Sequence, residues 1–229
     1  MPFGFLDPTI LLLIPAFIFA LVAQGKVKGA YKKFSRMRNQ SGLTGADAAR
    51  RILRNHGITD VEVEPSRGML SDHYDPTKKK VRLSEENYNK STVAALAIAA
   101  HEVGHAIQHH ESYSFLKFRH ALAGPVNIGS WGAFPLFIIG FIFASPTLVD
   151  IGIFLFLGVV LFHLITLPVE FDASKRAMAI LRTDGYVQPQ ESDGAKKMLN
   201  AAAMTYVASA TMAIVELVRL LILRGMMEE

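Results

Sequence analysis

Polar residues recur along most of this chain, but four stretches are predominantly apolar. They run from Leu6 to Ala23, Pro125 to Ala144, Thr147 to Leu167 and Ala201 to Leu223. A helix crosses a hydrocarbon core with about 20 residues, or as few as about 17, so each stretch is expected to span a bilayer. The fourth carries Glu216 and Arg219. A charge at the bilayer centre costs about 2.5–3.5 kcal/mol, but these two stand three residues apart on one helical face and can pair. The first has Asp7 at its mouth and its basic cluster on the far side, which predicts a retained anchor rather than a cleaved signal peptide.

Between residues 26 and 120 the rhythm changes. Thr44 followed by Asp47 has the pattern of a helix N-cap, Ala48, Ala49, Ile52 and Leu53 recur at helical spacing, and Gly57 marks the end. Val61 and Val63 alternate with Glu62 and Glu64 as a short strand stopped by Pro65. Residues 66–76 are turn-rich. Val81 and Leu83 flank Arg82 in a second strand, after which Ser84, Glu85 and Glu86 are expected to cap a short helix. A longer helix is expected from Ser91 to His110. The fold class predicted is mainly α, with four transmembrane helices and a small α+β lobe. The division expected is a transmembrane anchor over 1–25, the lobe over 26–120, a transmembrane hairpin over 121–168, a segment over 169–200 and the fourth transmembrane helix over 201–229.

Composition agrees with a membrane protein: 51% of the 229 residues are hydrophobic, 19% are charged and the mean hydropathy is +0.27. The net charge of +4 would suit nucleic acid if the basic residues formed a surface stripe. Their distribution argues otherwise. Of 24 Lys and Arg, 17 lie between Lys26 and Arg119, five between Lys175 and Lys197, and only Arg219 and Arg224 elsewhere. The positive-inside rule then places 24–120 and 168–200 in the cytoplasm of a multi-pass inner-membrane protein, with Arg219 and Arg224 mildly against it.

With no cysteine, disulfides, thiolate zinc sites and a cysteine nucleophile are excluded, so any metal must use His, Asp or Glu. The helix over 91–110 contains His101-Glu102-Val103-Gly104-His105. Residues four apart share a helical face, so both imidazoles can reach one zinc ion at about 2.0–2.1 Å, with Glu102 placed to take a proton from the attacking water. The flanking run Ala94 to Ala100 is apolar, as expected of a helix buried along a cleft. A catalytic zinc takes three protein ligands and keeps one position open. The metzincin continuation is excluded, because it needs Gly and His where this chain has Gln108 and Glu111. Glu170 is the best remaining donor, at the foot of the third apolar stretch, and Asp172 is its rival or a partner that orients a histidine N–H. His73 and Tyr74 are candidates for oxyanion stabilisation if an extended substrate adds to the strand Val81–Leu83, while Asp75 and Pro76 read equally well as a turn. His163, two turns before Glu170, is either a further partner of the site or a histidine satisfied inside the bundle.

Five blocks carry a resemblance: Gly42 to Ala49, Asp72 to Pro76, Val81 to Glu85, Ala99 to Gln108 and Pro168 to Ala173. In this order they resemble the YugP-type bacterial membrane zinc metallopeptidases, a neutral zinc metallopeptidase family. More distantly the pattern is similar to the HtpX and CAAX prenyl protease gluzincins. The resemblance implies that His101, His105 and Glu170 hold one zinc per chain and that Glu102 is the general base. Those relatives carry Glu-x-x-x-Asp, whereas this chain has Ser174 in the last position and its acid at Asp172.

The function expected is a membrane-bound metalloendopeptidase acting on membrane-associated or misfolded proteins from the cytoplasmic side. Its partners would be a protein or peptide substrate and the lipid bilayer, with no nucleic acid. Two other readings share these features: an intramembrane zinc protease whose 91–108 helix lies in the bilayer, and a non-catalytic zinc-binding scaffold or assembly factor, against which an intact Glu102 counts.

Overall fold

The computed structural model describes residues 8–68 and 71–227. The expected start of the first span at Leu6 and Asp7 lies outside the described residues, as do Met69 and Leu70 of the turn-rich segment. After a 3-10 turn, Pro8–Leu12, the chain forms α1 (Leu13–Phe34), α2 (Gly45–Asn55), β1 (Glu62–Ser66), β2 (His73–Asp75), β3 (Lys80–Ser84), α3 (Glu85–Asn89), α4 (Val93–His110), α5 (Ser114–Ile142), α6 (Pro146–Thr183) and α7 (Pro189–Gly225). The protein is mostly helical, with a three-stranded sheet and four helices long and apolar enough to cross a membrane. These helices outrun the apolar stretches. The third stretch was expected to end at Leu167, yet α6 runs on through Pro168 to Thr183. A proline removes one N–H without ending a helix that packing holds beyond it, and Val169, Ala173 and Ala177 are fully buried.

The chain divides into two units, one made of residues up to 23, 118–167 and 205 onward, the other of 24–117 and 168–204. In the first, α5 and α6 approach closely at glycines: a β-carbon on Gly140 would lie 2.6 Å from the Val149 nitrogen, and one on Gly152 2.8 Å from the Ala133 oxygen. Small residues allow such backbone contact between membrane helices. Arg219 pairs with Glu216 at 2.9 Å, the partnership their spacing suggested. Leu11, Ile128, Trp131, Phe143 and Phe154 stand mostly exposed, a surface suited to lipid rather than water.

In the second unit, Thr44 caps α2 by accepting from the Asp47 N–H at 3.1 Å, and Ala48, Ala49, Ile52 and Leu53 turn inward as their spacing predicts. Three local expectations need correction. Pro65 does not stop β1, which continues to Ser66; as an edge strand it tolerates a residue without an N–H. Ser84 precedes α3, but its hydroxyl donates to Asp72 instead of capping the helix. The strand Val81–Leu83 is not an edge: β3 lies in the middle, parallel to β1 and antiparallel to β2. Helix α4 starts at Val93, where Thr92 accepts from the Ala95 N–H. It is buried along most of its length among α2, the sheet and residues of α6 and α7 such as Leu181 and Met198.

Candidate metal centre

Helix α4 carries His101 and His105 one turn apart, and α6 brings Glu170 to them. The close approach has a visible cause. Gly104 lies against the α6 backbone, where a β-carbon would come 2.9 Å from the Ala173 oxygen and 3.3 Å from its Cα. His101 Nε2 is 3.2 Å and His105 Nε2 3.6 Å from Glu170 Oε2, and one donor atom from each of the three residues lies within 4.8 Å of the others. Tetrahedral ligands about 2.0–2.1 Å from zinc stand about 3.3 Å apart, so the cluster has the dimensions of such a site.

Hydrogen bonds behind the rings set which nitrogen is free. Gln108, fully buried, donates its amide to Val169 O at 2.9 Å and to Asp172 Oδ2 at 2.8 Å. Its oxygen therefore faces His105 Nδ1 at 3.0 Å, and since that oxygen can only accept, Nδ1 carries the proton. The Nε2 lone pair of His105 then points toward Glu170. His101 Nδ1 meets the Ser174 hydroxyl at 3.2 Å, which allows the same tautomer. Two imidazole lone pairs directed at a buried carboxylate repel it unless a proton or a metal cation lies between them. The local charge agrees: burial alone would depress His105, but Glu170 and Glu102 outweigh it and shift its pKa upward.

Glu102 is buried beside the two histidines, and among the described residues no donor holds its carboxylate. Burial raises its pKa against the pull of His101 and His105, the direction that makes a carboxylate a better proton acceptor. Asp172 does not touch a histidine; it receives Gln108 and pairs with Arg176, which also reaches Glu111 at 2.7 Å. Tyr74 bonds His109 Nδ1 at 2.7 Å, one turn beyond His105. Burial, then Asp60 and Asp75, push its pKa up to about 12, which keeps it a neutral hydroxyl. His73 is exposed, with Nδ1 on Ser71 O, and His163 belongs to the other unit, edge-on to Phe162. Reading the sequence missed Gln108 and Ser174 as partners of the histidines. The available signals were a glutamine on the histidines' own helical face, three residues after His105, and a serine four residues after Glu170.

Among the described residues, four helices long and apolar enough to cross a membrane accompany a largely buried His–His–Glu cluster with the dimensions of a divalent-cation site, the combination expected of a membrane metalloprotein. Residues 9–225 match the family model described as "Putative neutral zinc metallopeptidase", and the chain belongs to that family. It is 49% identical over 210 residues to a Bacillus subtilis (strain 168) protein named "Putative membrane protease YugP", covering 92% of this chain and 93% of that protein. No solved structure matches it.

Proposed function

We propose that this chain is a membrane-bound, zinc-dependent metalloendopeptidase that cleaves peptide bonds of membrane-associated or misfolded proteins. The observation that carries this reading is the convergence of His101, His105 and the Glu170 carboxylate on one point, with the buried carboxylate of Glu102 beside it. His101, His105 and Glu170 hold the metal, one ion per chain. Zinc bound there supplies Lewis acidity, polarising the scissile carbonyl and making water acidic enough to be deprotonated near neutral pH. Glu102 accepts the proton of the attacking water and delivers it to the leaving amine nitrogen. Ser174 and Gln108 keep both rings in the tautomer that leaves Nε2 free. The family membership and the name of the Bacillus relative support a peptidase, and the distribution of Lys and Arg supports a cytoplasmic active site.

Elemental analysis of the purified protein beside a peptide-hydrolysis assay tests the reading. Wild type is expected to hold one zinc, His101→Ala and His105→Ala to hold none, and Glu170→Ala very little. Glu102→Gln keeps the metal, because Gln preserves shape, but loses the proton carrier. A fall in rate of at least about 10² to 10⁴ is expected. Full zinc in Glu170→Ala removes that ligand. Wild-type cleavage by Glu102→Gln moves the base elsewhere, and a zinc-loaded wild type that cleaves no substrate favours the scaffold reading.

A further inference from the structure

A groove of about 390 Å³ runs between residues of α6 and α7 in the second unit. Its charged lining is Lys175, Arg182 and Lys196, and among the described residues no carboxylate lines it. Arg182 gives its Nε to the Ser192 hydroxyl at 2.7 Å, while Lys175 and Lys196 have no ion-pair partner among the described residues. The rest of the wall is largely apolar, with Phe171, Met178 and Leu199, and Phe171 is 48% exposed. Three cations over an apolar wall, without an acid to neutralise them, favour a ligand that is anionic at one end and greasy at the other.

We infer that this groove binds an anionic phospholipid, with the headgroup phosphate between Lys175 and Lys196, the outer part of the headgroup toward Arg182, and the first part of the tails against Phe171 and Leu199, which stand nearer the apolar stretches. Position along the helices favours a lipid over a soluble anion, on the reading that α6 and α7 span the bilayer. Lys196 stands five residues before the apolar stretch of α7 and Lys175 eight residues after that of α6. At 1.5 Å per residue these are about 7 Å and about 12 Å. A snorkelling lysine covers the remaining distance to the headgroup layer. Basic pockets of this kind, between membrane helices at their cytoplasmic ends, suit acidic headgroups. A substrate peptide fits less well. Ser174 lines the groove and faces His101 Nδ1, the ring nitrogen remote from Glu170, so the groove opens behind the ligand ring rather than at the reacting side.

The test is native mass spectrometry of the full chain released from nanodiscs of phosphatidylglycerol mixed with phosphatidylcholine. Wild type is expected to retain phosphatidylglycerol selectively, and inorganic phosphate to leave it in place. Each lysine near an anionic headgroup contributes about fivefold in affinity. Lys175→Gln should therefore weaken retention about fivefold and the Lys175→Gln/Lys196→Gln pair about 25-fold, while Lys197→Gln, outside the groove, changes nothing. The single variant serves if the double one does not fold. Equal retention of phosphatidylcholine, displacement by inorganic phosphate, or undiminished retention in the variants overturns the proposal. An acidic peptide that competes with the lipid overturns it in favour of a peptide site. Retention is read without hydrolysis or zinc, so failure of the peptidase reading leaves this result standing on its own.

Discussion

A single amide fixes the direction in which His105 can act. Gln108 has two acceptors on its nitrogen and one histidine on its oxygen, so none of its groups can flip without losing a bond. Gln108→Ala should weaken zinc binding about 10- to 100-fold, the usual cost of losing a partner behind a ligating histidine. Chelator competition measures this, and unchanged affinity would make the amide incidental. Ser174→Asp, which puts a carboxylate beside His101 Nδ1, should hold that ring by a charge-assisted bond and tighten zinc binding; weaker binding would mean that the serine is tuned to this site. At this scale the sequence was legible where spacing alone sufficed. His101 and His105 are four apart on one helix, and no other information is needed to put them side by side. Glu170 could be reached only as the best remaining donor, with Asp172 as its rival, because its nearness to the histidines depends on tertiary packing across more than sixty residues. The roles of Gln108 and Ser174 were harder to read, because hydrogen-bond direction is decided by neighbours from another helix.

Helices α4 and α6 meet backbone to backbone at Gly104, and that contact sets the reach of Glu170. Gly104→Ala pits two effects against each other. Alanine favours the helix by about 1 kcal/mol, but its β-carbon would press on the backbone of Ala173, and overpacking of this kind costs about 1–3 kcal/mol. Because the obstacle is main chain rather than a flexible tip, the clash should win. The expected outcome is a lower Tm and a larger fractional loss of zinc, read by thermal melting and elemental analysis. A variant with wild-type zinc affinity would show that α6 can retreat without moving Glu170. The elements themselves were mostly readable from periodicity, including α2 with its Thr44 cap and α4. Strand order was not. Alternation of Val81 and Leu83 marks a strand but says nothing about which neighbours pair with it, and the free edge that substrate addition to β3 would require is filled, since β1 and β2 occupy both of its sides. An extended peptide has only β1 and β2 to add to, and Pro65 leaves β1 one donor short.

The basic residues of the second unit give the whole molecule its expected orientation. Reporters fused near Lys79 and near Lys196 should both register the cytoplasm, and an external signal from the Lys79 fusion would reverse the compartment of the proposed active site. The apolar stretches were plain in the sequence because about twenty consecutive apolar residues have few other uses. Their continuation as longer helices was not, since α6 beyond Pro168 is held by packing rather than by hydropathy. The second unit is assembled from two separate lengths of chain, 24–117 and 168–204, with the two histidines in the first and Glu170 in the second. This order matters during synthesis. At about 5–20 residues per second, the ribosome takes several seconds to make the intervening residues. Throughout that interval the nascent protein holds His101, Glu102 and His105 but not Glu170. The cluster therefore cannot close before the helical pair between its parts has been made, and on the proposed reading a chain released early carries no complete metal site.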